Sequence, residues 1–412
     1  MNEIKQELYD RFVRYVSIDT TSDPTQKTTP TTASQMMFAK MLADEMPSLG
    51  FTEVEMDEYG FVTATIAANT DTPAPVVGFF AHMDTVSDFN GRGICPKLHP
   101  NYDGGRLVIN EEKKMYLSPD TTPNLKLCLG NDLVTSDGTT ILGGDDKIGI
   151  SVIMTFARYL KDHPEVKHGK IRVAFTVDEE TGTGIAFFDV KRFGADFAYT
   201  IDGGTLGEID YGTFNADKFE ISIVGKNCHP GSAKDFMANP VRIAADIVSS
   251  WPENRLPETT DKEDGFILFM GMEGNLEQAV LRGLVRDHDL NKFESSKKEL
   301  QEIINQKLIK YPNAKISVTF TKQYRNMKDV LEAHPQALSV LKKALVAAGI
   351  DYKLAQVRGG TDGAQLTFRG LPTPNIFAGY ENPHGPYEWL SLDWTEKVFH
   401  IMKHIVTELV NK

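Results

Sequence analysis

The chain is poor in cysteine and lacks any long apolar run. Its 412 residues include three cysteines, Cys95, Cys128 and Cys228, which are odd in number and widely spaced. This spacing gives no disulfide framework and no CxxC motif. No run of about 18 apolar residues occurs, and the amino-terminal segment lacks the apolar core of a signal peptide. We therefore expect a cytoplasmic protein without a membrane-spanning segment.

An excess of basic charge is also missing. Lysine and arginine number 44 against 57 aspartates and glutamates, so the net charge is −13, and it is spread along the chain. Nucleic acids and anionic membranes bind basic surfaces, so neither is expected as a partner. The composition, 41% hydrophobic and 25% charged, is ordinary for a globular protein. The length favours about two domains.

Helical and strand patterns alternate over the first 210 residues. Residues 33–46 have helical spacing, with Met37 and Met41 on one apolar face, and residues 148–161 repeat that spacing. Apolar or alternating runs predict strands at 61–68, 76–81, 171–177 and 197–201. This alternation predicts an α/β fold, a mostly parallel sheet with helices on both faces. The weakly patterned stretch 87–137 is expected to be a hairpin or a loop beside the site.

A different pattern begins near residue 213. Strands are predicted at 219–226, 266–272, 279–289 and 314–321, and helices at 240–251 and 290–311. The order β-α-β-β-α-β predicts an inserted ferredoxin-like α+β domain. We therefore expect a catalytic domain formed by residues 1–212 and 326–412, interrupted by an inserted domain at 213–325.

Acidic and histidine side chains follow the predicted strands. In open α/β sheets the carboxyl ends of the strands line a common crevice, so these clusters are expected to converge. Histidines and carboxylates together suit a hard or borderline divalent metal ion, which indicates a metal hydrolase. The clusters are His82 and Asp84, Asp145 and Asp146, Asp178 to Glu180, Asp202, and His384.

Each cluster has a functional and an ordinary interpretation. His82 and Asp84 share a strand face, so Asp84 can orient the ring of a metal ligand, but the two could also form a surface pair. Asp145 follows two glycines that allow a sharp turn, although paired aspartates before a helix commonly cap it. Asp202 could be a metal ligand or part of a common Asp-Gly turn, and His384 could be a ligand or an ordinary loop histidine.

The acidic triplet 178–180 follows a predicted buried strand. Acids at that position are unfavourable unless a cation or a proton compensates them. Adjacent glutamates could divide the work, one binding metal and the other remaining free as a general base. The alternative is an exposed acidic turn.

Four basic side chains outside these clusters could hold a substrate carboxylate or a developing oxyanion. His229 follows the strand 219–226, and Arg286 and His288 stand at the end of another strand of the insert. Arg358 opens a glycine-rich loop that we assign to the first domain. All four could equally be surface or turn residues.

Seven motifs together resemble a known family. They are HMDT (82–85), GGDDKIG (143–149), DEETGTG (178–184), TIDGG (200–204), CHPGSAK (228–234), RGGTDGAQ (358–365) and NPHG (382–385). In this order they resemble the co-catalytic zinc peptidases that include aminoacylases and glutamate carboxypeptidases, and among them the tripeptide aminopeptidases. The resemblance extends from residue 11 almost to the carboxyl terminus. It departs at Gly144, where the family is expected to have alanine, at His288 in place of phenylalanine, and at Val177 in place of proline.

The resemblance implies a role for each matched residue. Asp145 would bridge two zinc ions, with Co²⁺ or Mn²⁺ as alternatives, and Glu179 would act as general base with Asp84 behind His82. His229 would stabilise the tetrahedral intermediate, and Arg286 and Arg358 would hold the substrate. The remaining implied ligands are His82 and Asp202 for one metal and Glu180 and His384 for the other.

The implied activity is removal of the N-terminal residue from short peptides, preferentially tripeptides. A dipeptidase, a carboxypeptidase or an N-acyl amino acid hydrolase would use the same metal centre. A non-catalytic peptide-binding relative is more remote, because a binding module has no need of an unligated Glu179. The resemblance also allows a homodimer formed through the inserted domain.

Overall fold

The computed structural model describes residues 1–411. None of the helices in this range is long and apolar enough to cross a membrane. The α-helices are α1 (Glu3–Val16), α2 (Ala33–Glu45), α3 (Gly144–Asp162), α4 (Val190–Phe193), α5 (Pro240–Val248), α6 (Leu290–Lys310), α7 (Lys328–Ala333), α8 (Gln336–Ala347), α9 (Asp362–Phe368) and α10 (Leu392–Glu408).

Strands separate these helices along the chain. They are β1 (Thr52–Met56), β2 (Val62–Ile66), β3 (Val77–His82), β4 (Lys97–His99), β5 (Leu107–Asn110), β6 (Met115–Leu117), β7 (Leu133–Thr135), β8 (Ile171–Thr176), β9 (Phe197–Gly203), β10 (Glu208–Gly212), β11 (Asn215–Val224), β12 (Phe266–Gly274), β13 (Gln278–Asp287), β14 (Lys315–Tyr324), β15 (Lys353–Gln356), β16 (Asn375–Phe377), β17 (Tyr380–Glu381) and β18 (Trp389–Ser391).

Two compact units divide the chain. Unit 1 comprises Met1–Tyr211, Asp329–Ala355 and Thr361–Lys412. Unit 2 comprises Gly212–Lys328 and the short segment Gln356–Gly360. Unit 2 therefore interrupts the sequence of unit 1.

An eight-stranded sheet forms the centre of unit 1, in the order β1-β2-β8-β3-β9-β16-β10-β15. The middle strands β8, β3, β9 and β16 are parallel neighbours, whereas β1, β2 and β10 pair antiparallel. Every residue of β3 and β8 is buried, because a parallel sheet covered on both faces leaves no solvent-exposed side. The predicted α/β class with a mostly parallel sheet is confirmed.

The stretch 87–137 folds into small sheets beside this core. β5 and β6 form an antiparallel pair, while β7 lies between β4 and β18. Buried apolar side chains of the stretch, such as Leu107 and Leu133, cluster with Trp389 and Trp394 from the carboxyl-terminal part of the chain. The stretch is therefore more than a hairpin, since its core is completed by residues far away in sequence.

Unit 2 has the strand and helix order β11-α5-β12-β13-α6-β14. Its four strands are antiparallel in the spatial order β12-β13-β11-β14, which is the arrangement of the ferredoxin-like fold. Apolar side chains of β11 pack with those of both helices, including Ile221, Ile247 and Leu300. Each such side chain, when fully buried, contributes about 1.5–3 kcal/mol to folding.

Helix α2 buries a different face from the one predicted. Its buried side chains include Phe38, Ala39 and Leu42, whereas Met37 is 66% exposed. The prediction for Met37 was wrong because apolar residues occur on more than one face of this helix, and their spacing alone did not show which face is buried.

Candidate metal centre

Polar loops meet at the carboxyl end of the parallel strands of unit 1. β3 ends at His82, β8 ends shortly before the acidic triplet 178–180, and β9 carries Asp202. β3 is paired in parallel with both β8 and β9, so all three strands end at the same edge of the sheet. Asp145 stands in the first turn of α3, where its backbone angles are non-helical, and the connection between β17 and β18 supplies His384.

A first group of metal-ligand atoms is formed by His82, Asp145 and Asp202, whose donor atoms all lie within 4.8 Å of one another. The His82 Nε2 atom lies 2.8 Å from Asp145 Oδ1 and 3.4 Å from Asp202 Oδ1. The Tyr380 hydroxyl donates to Asp202 Oδ1 at 3.0 Å and so fixes that carboxylate.

A second group is formed by Asp145, Glu180 and His384 and satisfies the same 4.8 Å limit. The His384 Nε2 atom lies 3.2 Å from Asp145 Oδ2 and 3.1 Å from Glu180 Oε2. Asp145 therefore turns Oδ1 toward the first group and Oδ2 toward the second. One carboxylate is shared between two sets of donors.

The donor chemistry fits a pair of divalent metal ions. Two imidazoles and three carboxylates are the ligands that zinc, cobalt and manganese accept. The Glu180 Oε1 atom is buried and has no hydrogen-bond partner among residues 1–411, which is unusual for a carboxylate oxygen. A cation between the groups would satisfy that atom.

The titration behaviour of the donors reflects crowded negative charge. Burial and the neighbouring Asp145 raise the pKa of Glu180 to about 7, and burial likewise raises the pKa of Asp202. Hydrogen bonds to Asp145 and Glu180 raise the pKa of His384 to about 11. Burial alone would raise the pKa of Asp145, but its hydrogen bonds with His384 and His82 hold it below the ordinary value. Bound cations would keep all these carboxylates ionised.

The three consecutive acids have three different environments. Asp178 points away from the donors, because its carboxylate accepts hydrogen bonds from Thr31 and Gln35. Glu180 belongs to the second donor group. Glu179 belongs to neither group, and burial followed by repulsion from Asp202 raises its pKa well above the ordinary value. Glu179 therefore differs from Glu180 in lying outside both donor groups.

Asp84 connects the histidine to the acidic loop. Its carboxylate accepts hydrogen bonds from the backbone N–H groups of Glu179 at 3.0 Å and Glu180 at 3.2 Å. The His82 Nδ1 atom lies 3.1 Å from the Asp84 carbonyl oxygen and 3.5 Å from its carboxylate. Asp84 thus holds both the ring and the loop.

Sequence reasoning overlooked Glu388 and Tyr380. The Glu388 carboxylate is buried and accepts three backbone N–H groups from the loop that carries Asp145. Burial and the nearby Asp145 raise its pKa to about 7 in spite of these hydrogen bonds. The pattern that indicated the other acids, a carboxylate directly after a predicted strand, is absent at Glu388, which precedes the short strand β18.

His229 and Arg286 both lie in unit 2. The His229 side chain is exposed, and its Nδ1 atom accepts the Gly231 N–H at 3.1 Å. Arg286 is 8% exposed and donates to the Gln323 side chain at 2.7 Å and to two backbone carbonyls. The His229 ring is therefore accessible, whereas the Arg286 guanidinium is largely engaged.

The assignment of Arg358 to the first domain was wrong. Segment 356–360 belongs to unit 2, because the Arg358 guanidinium donates to the carbonyls of Lys262 at 2.9 Å and Asp264 at 2.8 Å. It also lies over the ring of Phe214. His288 is buried in the same unit, stacked on Phe214 with ring centroids 4.2 Å apart. Both side chains are held by unit 2 itself.

Comparison with known proteins identifies related sequences over the whole chain. Residues 140–408 match the model of peptidase family M20/M25/M40. The peptidase T of Geobacillus thermodenitrificans is 47% identical over 403 residues, which cover 98% of each protein.

Solved structures give a consistent result. The aminopeptidase PepT of Bacillus cereus superposes with a TM-score of 0.75 at 25% identity, covering 99% of both chains. A tripeptidase of Staphylococcus aureus superposes with a TM-score of 0.79 over 99% of both chains, and at 20% identity this likeness concerns the fold.

Proposed function

Because this chain belongs to peptidase family M20/M25/M40 and is 47% identical to a peptidase T over 98% of its length, we propose that it is a metal-dependent aminopeptidase. Its substrates are short peptides, preferentially tripeptides, from which it releases the N-terminal residue. The relatives named peptidase T and tripeptidase support this substrate class.

One observation carries the proposal most directly. Asp145 offers one oxygen to each of two donor groups, and Glu179 stands beside them outside both groups. A carboxylate shared between two metal ions, with a free glutamate alongside, is an arrangement suited to metal-assisted hydrolysis.

Each residue of the site has a distinct role in this proposal. His82 and Asp202 would complete one metal site, and Glu180 and His384 the other, with Asp145 common to both. Such ions polarise a carbonyl and make water more acidic. Two Zn²⁺ ions per subunit suit these donors, with Co²⁺ or Mn²⁺ as alternatives.

Glu179 moves the proton in the reaction. It accepts a proton from the attacking water and later delivers it to the leaving amine. Asp84 keeps Glu179 in position through its backbone N–H and holds the His82 ring. His229 would support the oxyanion, and Arg286 and Arg358 would hold the substrate, as the family resemblance implies. For both arginines this role requires a rearrangement, since their donors bind within unit 2.

The proposal is tested by tripeptide hydrolysis with metal-loaded protein, wild type beside Glu179→Ala and the isosteric Glu179→Gln. We expect wild type to release the N-terminal residue. Both variants should keep about two metal ions while kcat falls by roughly 10²–10⁴-fold, the usual contribution of a general base. An N-acetylated tripeptide serves as substrate control, because an aminopeptidase needs the free amine.

Two outcomes would contradict the proposal. If wild type hydrolysed the N-acetylated tripeptide as fast as the free tripeptide, an N-acyl amino acid hydrolase with the same metal centre would be favoured. Wild type that binds metal but cleaves neither peptide would indicate a binding protein.

We further propose a homodimer formed through unit 2. Its outer strand β12 exposes Met270 and Met272, and apolar side chains on an edge strand favour pairing. Light scattering of wild type and of Met270→Glu/Met272→Glu tests this, since the double variant should be monomeric.

A cytoplasmic location agrees with the three free cysteines, and cell fractionation tests it.

A further inference from the structure

Glu388 is a buried carboxylate with an unusual set of partners. It is 1% exposed. Its Oε2 atom accepts the backbone N–H groups of Leu142 at 2.7 Å and Gly143 at 2.9 Å, and its Oε1 atom accepts that of Asp145 at 3.1 Å. Both oxygens are therefore directed at the loop that presents the shared carboxylate.

The three N–H groups stand before or at the start of α3, where a helix provides no acceptor for its first N–H groups. Gly143 has a left-handed φ of 74°, and Asp145 and Asp146 have non-helical backbone angles although they stand at the start of α3. The helical hydrogen-bond ladder therefore begins only after them. Buried backbone N–H groups require acceptors, and Glu388 provides them.

Glu388 also belongs to the hairpin that carries His384. It directly precedes β18, which pairs with β17 on one side and β7 on the other. The backbone of Glu388 is thus anchored by a sheet, while its side chain crosses to residues 142–145. A single side chain joins the loop of Asp145 to the hairpin of His384.

The contact is tight at Gly144. A Cβ atom added there would lie 3.0 Å from Glu388 Oε1 and 3.0 Å from the Tyr380 Cβ atom. An alanine at this position would therefore require the Glu388 carboxylate or Tyr380 to shift slightly. The Glu388 carboxylate and the backbone at Gly144 are therefore in close contact.

We infer that Glu388 is a positioning residue that sets Asp145 and His384 at the spacing needed to bind both metal ions. The inference rests on the proposed function, because it assumes that these residues bind metal. Asp145 serves both sites, so a displaced loop weakens both. Groups that orient metal ligands typically change metal affinity or activity by about 10–100-fold.

The test compares Glu388→Gln with Glu381→Gln, a matched control on the same hairpin. Glu381 accepts Asn124 and Thr205 through Oε1 alone, so glutamine can preserve both hydrogen bonds. The bonds of Glu388 are divided between both oxygens, and a glutamine amide would turn a donor toward an N–H group. Metal affinity is measured by chelator competition with Zn²⁺, beside the thermal midpoint and kcat.

We expect Glu388→Gln to release both metals about 10–100-fold more readily than wild type, with kcat restored by excess Zn²⁺. Glu381→Gln should bind metal as wild type does. If Glu388→Gln has only a lower thermal midpoint and unchanged affinity at both sites, the inference is wrong and Glu388 is merely structural. Weakened metal binding in a protein that cleaves no tripeptide would instead overturn the proposed activity and leave this inference standing.

Wild-type protein offers a second test in case Glu388→Gln does not fold. Hydrogen exchange of the backbone N–H groups at 142–145 is followed by mass spectrometry without metal. Slow exchange is expected, since Glu388 already holds the loop. Fast exchange that slows only on adding Zn²⁺ would show that the metal orders the loop, and the inference would fail.

Discussion

At the scale of single residues, the site depends on how neighbouring acids are separated by their partners. Asp178 is held by Thr31 and Gln35, so it cannot reach the donor groups. The backbone N–H groups of Glu179 and Glu180 both donate to the Asp84 carboxylate, yet only the Glu180 side chain belongs to a donor group. A few hydrogen bonds therefore place three chemically similar carboxylates in different surroundings.

Asp84→Asn tests this separation. The asparagine side chain keeps one acceptor oxygen, but its NH₂ group would face the backbone N–H of either Glu179 or Glu180. The acidic loop and the His82 ring should therefore both shift. We predict that metal affinity falls by about 10–100-fold, measured by chelator competition. Asp88→Asn, an exposed change on the same loop, is the control and should bind metal normally. Unchanged affinity in Asp84→Asn would contradict the role given to Asp84.

At the scale of elements, the loop after β8 folds back onto the end of its own strand. A Cβ atom at Gly184 would lie 1.7 Å from the Val177 carbonyl oxygen, a distance that no side chain can occupy. The Gly184 N–H also donates to the Asp178 carbonyl oxygen at 3.3 Å. This close return is what presents residues 178–180 at the sheet edge.

Gly184→Ala is therefore predicted to be destabilising. Steric overlap of this kind costs about 1–3 kcal/mol or more, and relief of the overlap would move the loop that carries Glu179. Urea unfolding and tripeptide hydrolysis should both show the loss. At Gly271 nothing lies within 4 Å of an added Cβ, so Gly271→Ala is the control. Equal stability of the two variants would refute the close approach.

Local sequence patterns were sufficient to predict the sheet but not the contacts between elements. Strand–helix alternation predicted the parallel sheet, which the structure confirms, because a buried strand is a contiguous apolar run. The exposed Met37 on α2 was not predicted, since which stripe of a helix is buried depends on the elements packed against it. Arg358 was assigned to the wrong domain for the same reason, because its partners lie 94 or more residues earlier.

At the scale of the whole molecule, buried carboxylates link stability to pH. Burial raises the pKa of Asp210 to about 7, and burial raises the pKa of Asp362 to about 7. In the unfolded chain these groups ionise near pH 4, whereas in the folded, metal-free protein they hold their protons up to about pH 7. Their contribution to stability is therefore complete below pH 4 and is lost as the pH rises to 7.

We predict that the metal-free protein becomes less stable to urea between pH 5 and pH 7. Metal ligands must be deprotonated, so stabilisation by added Zn²⁺ should grow over the same interval. Asp210→Asn is the control, since it should reduce the pH slope of the metal-free protein. Stability that rises with pH in the absence of metal would contradict the raised pKa values.

The sequence by itself determined the fold class and the set of candidate donors. Strands and helices are encoded by the spacing of adjacent residues, and acids placed at strand ends converge in any parallel sheet. The clusters that contain His82, Asp145, Glu180, Asp202 and His384 could therefore be selected before their distances were known, and the family resemblance implied these five residues within them.

Tertiary structure alone decided which hydrogen bonds separate the three adjacent acids, which oxygen of Asp145 faces each donor group, and that Glu388 supports the start of α3. Those features depend on contacts between residues far apart in sequence, such as Glu388 and Gly143, which are 245 positions apart. No local pattern encodes such a pair, because hydrogen-bond geometry exists only once the sheet has brought the loops together.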